Sequence, residues 1–455
     1  MHKSSFRRFP NALVLIFFLI VIAQCASYFV PAGEFDRVGR RVVHGSYHFV
    51  DAEPLDAFTF LTAIPIGLAE AQEIIFFVFL VGGVMGVVRA TGAVDALIAT
   101  AIRRLSARPM WLVGGMVGLF ALGSSTVGMA EEYLPFVPIL VTMCLALKLD
   151  AVVAVGIIYV GAGVGYACAS LNPFTVLIAQ DIAELELTSG QYLRWVLLFV
   201  CGAVGVHHIS QYMARLRQDR RFSLVADVDY SSGFVAPDSV RFSTSRVGVV
   251  SVLAVGIAIF VYGVAARGWS LTELSAVFLA IGLLAALINR LGPNVAAHAF
   301  LDGSAQMTAT ALLIGFARTI QVILDDARVI DTIIYWLAEP LSTLTASGAA
   351  LGMLAVQTVC NLFIPSGSGQ AYITMPIMAP LADLTGLTRQ TAVLAYQFGD
   401  GFTNMLVPTN ALLMGVLGLA RIPYQRWVRF VWPLLVKLYL IAALVLIGAV
   451  LFGYE

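Results

Sequence analysis

Two stretches of this chain, 151–185 and 389–420, are too long for one straight membrane-crossing helix and carry Gly and Pro in their centres. A helix needs about 20 apolar residues to cross the hydrocarbon core. Backbone that is not helical at that depth leaves N–H and C=O groups that must line a cavity or bind something. The interrupted stretches therefore constrain the fold more than any other feature. Around them, crossings are read at 12–30, 73–89, 191–213, 246–266, 272–289, 308–325 and 427–453. Two further apolar segments, 110–147 and 347–384, are each broken by a polar, small-residue patch. Their length suits re-entrant hairpins of two half-depth helices and a turn. Nine crossings and two hairpins put the two termini on opposite sides.

Composition agrees with a membrane chain. Of 455 residues, 60% are hydrophobic and 12% charged, where soluble domains carry roughly 25% charge. The 27 Lys+Arg balance 27 Asp+Glu, leaving no basic surface for a nucleic-acid partner. No Gly-x-x-x-x-Gly-Lys-Ser/Thr loop occurs, which removes ATP as the energy source. The run Gly161-x-Gly163-x-Gly165 follows no strand and has the wrong spacing for a dinucleotide fingerprint. The five cysteines, Cys25, Cys144, Cys168, Cys201 and Cys360, lie in apolar runs without ligand spacing and read as small core residues. The run 12–30 follows Lys3, Arg7 and Arg8 but has no small-residue cleavage site before Pro31, so it reads as a span and not a signal peptide.

The distribution of Lys and Arg sets the expected orientation. With the N-terminus inside, cytoplasmic segments hold 18 Lys+Arg against 7 Asp+Glu, and outer segments 6 against 17. Left in or near the bilayer are Arg194, Arg318, Lys437, Glu131, Glu132 and Asp400. The expectation is a multi-pass protein of the cytoplasmic (inner) membrane, with a cytoplasmic N-terminus and the C-terminus outside.

Self-comparison finds a weak repeat at an offset near 236 residues. Gly67 matches Gly303, Asp95 matches Asp331, and Tyr133 and Pro173 fall on Tyr372 and Pro408 with small shifts. The chain reads as a first repeat over 1–213, a cytoplasmic linker plus one odd span over 214–271, and a second repeat over 272–455. One odd span inverts the second half. Inverted repeats with discontinuous helices near the midplane are the mark of alternating-access secondary transporters. The fold class is thus an all-α polytopic membrane protein with inverted repeats, two re-entrant hairpins and two broken helices. The amphipathic stretches 91–105 and 329–343 read as interfacial arms leading into the hairpins.

The four interruptions supply the candidate binding residues. The first hairpin tip offers Ser124, Ser125 and Thr126, followed by Glu131 and Glu132; its counterpart offers Ser366, Ser368 and Gln370. The first broken helix offers Gly163, Asn172, Pro173 and Thr175, and the second Asp400, Thr403, Asn404, Pro408, Thr409 and Asn410. Hydroxyls, amide oxygens and freed carbonyls suit Na⁺, while half-helix N-termini suit carboxylates. Ser125, Asn172, Asp400 and Asn410 are the candidate Na⁺ ligands, with H⁺ as the other coupling ion; no further cofactor is implied. One small-residue stretch alone is ordinarily a packing surface, but four at corresponding places are not so readily explained. Acids at membrane depth are costly, and these can hold a cationic substrate group, a Na⁺ or a proton, or make a structural bond between helices. Arg318 reads as a carboxylate clamp or as the static partner of Glu131, Glu132 or Asp400. Arg194 and Lys437 read as snorkelling near span ends, and His207 and His208 as interfacial.

The segments Pro31-Ala32-Gly33-Glu34-Phe35, Gly128-Met129-Ala130-Glu131-Glu132, Gly163 to Thr175, and Gly399-Asp400-Gly401-Phe402-Thr403-Asn404 with Pro408-Thr409-Asn410 carry a resemblance. Over almost its whole length the chain resembles the YfcC-like branch of the anaerobic C4-dicarboxylate carrier family. That resemblance implies membership of the ion transporter superfamily, homodimers, an elevator motion, and solute and ion sites at hairpin tips and broken helices. The Ser-Asn-Thr tips of the superfamily's dicarboxylate symporters are replaced here by Ser124-Ser125-Thr126 and Ser366-Gly367-Ser368. The branch is associated with C4-dicarboxylates and with basic amino acids such as arginine and ornithine. A dianion would be repelled by Glu131, Glu132 and Asp400 unless they were neutralised, so the residues lean toward a solute with a cationic end.

The expected function is an ion-coupled or exchange secondary transporter of a small charged organic solute, a basic or other amino acid, working as a homodimer in the lipid bilayer. The alternative is Na⁺-coupled transport of a C4-dicarboxylate or peptide-like carboxylate. An intramembrane enzyme fits poorly. Asp400 resembles the acid of a Gly-x-Gly-Asp protease motif, but position 397 is Gln and no second Asp lies at matching depth, while Ser366 has no mid-membrane His.

Overall fold

Helices form where the apolar runs stand; the two long stretches break after Ala167 and after Thr403, with Gly161, Gly163, Gly165, Gly399 and Gly401 still inside helices. The computed structural model describes residues 12–38, 41–43, 45–94, 96, 109–126, 128–130, 133–134, 136–172, 174–230, 243–267, 269 and 271–455. The first half contains α1 (Ala12–Ser27), α2 (Thr59–Glu70), α3 (Gln72–Ala90), α4 (Pro109–Thr126) and α5 (Phe136–Ala146). It continues with α6 (Ala151–Ala167), α7 (Val176–Ile182) and α8 (Gln191–Gln218). A π-helical turn, Gly156–Val160, lies inside α6. After α9 (Thr244–Arg267) come α10 (Leu271–Ile288), α11 (Pro293–Ala305), α12 (Thr308–Asp326) and α13 (Ile330–Ala338). The chain ends with α14 (Ala346–Phe363), α15 (Gly367–Leu384), α16 (Arg389–Thr403), α17 (Ala411–Leu419) and α18 (Tyr424–Phe452).

Element order and contacts both recur between the halves. The short–long pair α2–α3 corresponds to α11–α12, and the two pairs swap partners: α2 packs on α12 and α11 on α3. Likewise α10 lies on α3 as α1 lies on α12, α4 on α6 as α14 on α16, and α7 on α15 as α17 on α5. These contacts define two groups of helices. One holds α1–α3 with α9–α12; the other holds α4–α8 with α14–α18 and is termed the core below. They meet chiefly where α17 rests on α12.

Small residues allow the swapped pairs to close. A Cβ on Gly303 would lie 2.2 Å from the carbonyl oxygen of Gly82, and one on Gly67 2.3 Å from Thr319 Oγ1. The glycines matched by the internal repeat thus sit at the two reciprocal crossings, where close backbone approach replaces the hydrophobic drive that lipid cannot supply.

Several expectations change. Helices α2 and α11 occupy stretches read as loops, because Pro65 interrupts one and Asn294, His298 and Asp302 make the other too polar to stand out. Three of the four hairpin arms are longer than a half-depth helix needs: α4, α14 and α15 have 18 residues each, while α5 has 11. An 18-residue helix is about 27 Å long, so such an arm reaches only part-way across when strongly inclined. Among the described residues, four helices are long and apolar enough to cross a membrane on length and composition alone: α3, α8, α14 and α18. Cys25 is exposed on α1, whereas Cys144, Cys168, Cys201 and Cys360 are buried.

The loops pair in a consistent way. Strands β1 (Gly33–Glu34) and β4 (His48–Phe49) pair, as do β2 (Arg37–Val38) and β3 (Arg41–Val42). This loop clasps α13: buried Asp331 accepts from Phe35 N at 3.0 Å and from Arg37 Nη2 at 2.7 Å, and Tyr47 stacks on Tyr335 at 4.2 Å. The arm expected at 91–105, with Asp95, falls largely outside the described residues. The segment 219–230 docks back on the core. Ser223 Oγ donates to Asp150 Oδ2, Tyr230 to the carbonyl of Ala420, and Arg426 pairs with Asp227. Burial raises the Asp150 carboxyl above its ordinary pKa, opposed by hydrogen bonds from Tyr212 and Ser223. Each of these contacts joins segments that the charge pattern assigns to one side.

Candidate functional site

The second hairpin tip and the second break meet at Asp400. This acid lies in α16 and is 1% exposed. Its Oδ1 accepts from Asn361 Nδ2 at 3.0 Å and from Asn404 Nδ2 at 2.8 Å. Among the described residues, Oδ2 accepts no hydrogen bond, and no cation stands within ion-pair distance. Asn404 Oδ1 accepts in turn from Asn410 Nδ2 at 2.6 Å, and Asn410 caps α17 by accepting from Leu413 N. The relay runs from the carboxylate across the break to the positive end of a half-helix.

The first break inserts a residue into the same place. A Cβ on Gly367 would stand 2.5 Å from Thr175 Cγ2 and 3.2 Å from Asp400 Oδ2, so the bare glycine brings hairpin tip, Thr175 and carboxylate together. Tyr396 donates to the Gly367 carbonyl at 2.6 Å. Three buried oxygens here or on the adjoining chain have no partner: Thr175 Oγ1, Asn361 Oδ1 and Thr409 Oγ1. Buried polar atoms ordinarily find partners, so unpartnered hydroxyl and amide oxygens on the segments around a carboxylate are chemically suited to a small cation or a proton.

The first hairpin and the first break are built differently. Ser124 Oγ donates to Met129 O at 2.9 Å, and Ser125 Oγ lies 3.1 Å from Ser170 Oγ. Asn172 Nδ2 donates to Ser124 O at 2.8 Å, while its Oδ1 accepts from Phe174 N. Tyr166 donates to the Gly128 carbonyl at 2.6 Å, matching the Tyr396 contact. The four candidate Na⁺ ligands therefore divide. Among the described residues, no hydrogen bond joins Ser125 or Asn172 to Asp400 or Asn410.

The other candidates are placed as follows. Thr126 donates to its own helix at Leu122 O. Gln370 turns into the hairpin, donating to Gln357 Oε1 at 2.7 Å, and Ser366 caps α15. Thr403 Oγ1 lies 2.5 Å from the Tyr439 hydroxyl. Gly163 makes room for Met405, and Ser368 and Pro408 are half-buried. Glu131, Glu132 and Pro173 lie outside the described residues. Arg318 pairs with Glu70 at 2.9 Å, not with Asp400. The reason is α2, which the sequence reading lacked and which carries Glu70 against α12. Arg194 does not snorkel but is fully buried, and His208 is also buried, with Nε2 2.9 Å from Phe430 O. His207 is exposed and Lys437 half-buried. Asn361 and Tyr396 were missed. A lone amide in the apolar stretch Val359-Cys360-Asn361-Leu362 is the signal for the first.

Sequence comparison supplies the class. The profile of the C4-dicarboxylate anaerobic carrier family matches residues 9–451. The chain belongs to this family. An Escherichia coli (strain K12) relative, provisionally named basic amino acid antiporter YfcC, is 32% identical, with 98% of this chain and 97% of that protein covered. An uncharacterized Haemophilus influenzae protein is also 32% identical, covering 84% of this chain and 76% of its own. Among solved structures, the Alcanivorax borkumensis YdaH transporter aligns over 98% of this chain and 99% of that one, with 17% identity and a TM-score of 0.44. Neisseria gonorrhoeae MtrF, described among antimetabolite efflux pumps, aligns over 97% and 95%, with 16% identity and a TM-score of 0.42. This carrier-family chain is therefore a membrane transporter, and its buried carboxylate at a helix break belongs to a transport protein.

Proposed function

We propose that the chain is a secondary transporter for an amino acid with a cationic side chain, coupled to Na⁺ or H⁺ or to exchange at Asp400. The observation that carries this reading is the Asp400 carboxylate, buried with no counter-ion among the described residues, near buried oxygens that have no hydrogen-bond partner. A fixed carboxylate in a low-dielectric core is expensive unless a cation or proton neutralises it. A cation bound and released there ties the charge state of the core to its occupancy. The reciprocal packing of the halves supports inverted repeats, with the core moving against the other helix group in an elevator step. The homodimer and the inner-membrane location implied by the resemblance belong to the same reading. The name of the Escherichia coli relative supports a basic amino acid as solute.

Counterflow of radiolabelled arginine in proteoliposomes, with and without a Na⁺ or pH gradient, tests the reading. The wild type should exchange arginine, and Asp400→Asn should abolish exchange while remaining monodisperse. Arginine exchange unaffected by Asp400→Asn would remove Asp400 from the mechanism. The family profile favours a second reading, a C4-dicarboxylate solute; fumarate counterflow exceeding that of arginine would establish it instead.

A further inference from the structure

Arg194, in the first turn of α8, is a fully buried cation with no acid beside it among the described residues. Its donors reach neutral oxygens only. Nε donates to Gln397 Oε1, Nη1 to the Ser189 carbonyl and Nη2 to Gln390 Oε1, each at 2.8 Å. The Tyr454 ring lies 6.0 Å from its Cζ. Burying a guanidinium without a counter-charge is costly. What it brings that a neutral amide cannot is three donating nitrogens and no acceptor.

That property bears on Gln397. Because Arg194 only donates, it obliges Gln397 to present Oε1, and the amide then has to turn Nε2 the other way. Nε2 donates to the Ala169 carbonyl at 2.9 Å. Ala169 lies just beyond α6, in the first break, and Gln397 stands nearly one helical turn before Asp400. We infer that Arg194 is a positioning residue: it sets the orientation of the Gln397 amide, which pins the first break against α16 and so holds Thr175 beside Asp400. A flipped amide would put two oxygens face to face at Ala169 and release the break. This inference rests on the reading of Asp400 and Thr175 as the coupling site. The Gln390 arm differs, since its Nε2 donates to Ser189 Oγ, away from the break.

Two substitutions separate positioning from plain support. Gln397→Glu gives Arg194 an ion-pair partner but, ionised, cannot donate to Ala169. Gln390→Glu gives a comparable ion pair without touching the break. In detergent-purified protein, Gln397→Glu should retain the wild-type melting temperature or exceed it. It should also speed amide hydrogen exchange across 168–175 about tenfold and raise the arginine Kd about tenfold. Gln390→Glu should leave both within about twofold, and Arg194→Lys, which still only donates, should retain most of the protection. Exchange at 168–175 unchanged in Gln397→Glu, or raised equally in Gln390→Glu, would overturn the inference. The exchange measurement needs no solute. If wild-type protein binds no arginine, the transport reading fails while hydrogen exchange still decides the role of Arg194.

Discussion

The two hairpin–break pairs share one architecture and divide the chemistry between them. In each, a tyrosine of the broken helix donates to a glycine carbonyl at the hairpin tip at 2.6 Å, Tyr166 in the first and Tyr396 in the second. Beyond that they diverge. Around Ser124, Ser125 and Asn172 the described polar side chains find protein partners and none is charged. At Asp400, among the described residues, one carboxylate oxygen takes no hydrogen bond, and Asn361 Oδ1 and Thr175 Oγ1 have no partner. Among the described residues the two pairs thus differ in charge: the second holds the buried carboxylate, and the first contributes the unpartnered Thr175 to it.

The comparison can be broken most directly at its poles. Asp400→Asn should abolish arginine counterflow. Asn172→Ala should instead cost about 1–3 kcal/mol of stability, read in thermal melts, with exchange persisting in the folded fraction. Complete loss of exchange in well-folded Asn172→Ala would show that the first pair is equally functional. A finer test compares hydroxyls. Thr175→Val, which removes an unpartnered oxygen, should raise the half-saturating Na⁺ concentration about tenfold, or about 1.4 kcal/mol, if Na⁺ is the coupling ion. Ser125→Ala should shift it less than about threefold, since that hydroxyl is already paired.

The shared feature predicts equal effects. Tyr166→Phe and Tyr396→Phe should each lower stability by about 1 kcal/mol, and a much larger effect at one tip would show that the tips are not equivalent supports. The smallest effect is expected at Glu70→Gln. Its pair with Arg318 is more than a third exposed on both sides, so the cost should stay within about 1 kcal/mol and counterflow should persist. Loss of exchange there would return Arg318 to the solute path.

Much of this frame was legible in the chain before any coordinates. The polar residues of Gly399–Asn404 and Pro408–Asn410 marked the second break, because apolar helices seldom carry Asp and Asn together, although the helix runs on to Thr403 and the break opens at Asn404. The repeat offset aligned Gly67 with Gly303, and both prove to be crossing points. What escaped had weak periodic signals. Helix α11 carries His298 and Asp302, so no hydropathy window finds it, and α2 is too short to span. The pairing of Arg318 with Glu70 followed from that omission. Arg194 was misplaced because position near a span end says nothing about which way a side chain turns. Its burial depends on Gln390 and Gln397, about 200 residues further along.

The partner-swapped packing of α2 on α12 and of α3 on α11 has a consequence for how the protein is made. Glu70 waits for Arg318 across 248 residues, a delay of roughly 10–50 s at ordinary elongation rates. Through that interval the nascent first half carries a charge and two glycine-notched surfaces with nothing to receive them. The early helices stay without their packing partners until the second half emerges, so slowing or truncating synthesis there should leave the first half a substrate for membrane proteases, read by pulse-chase.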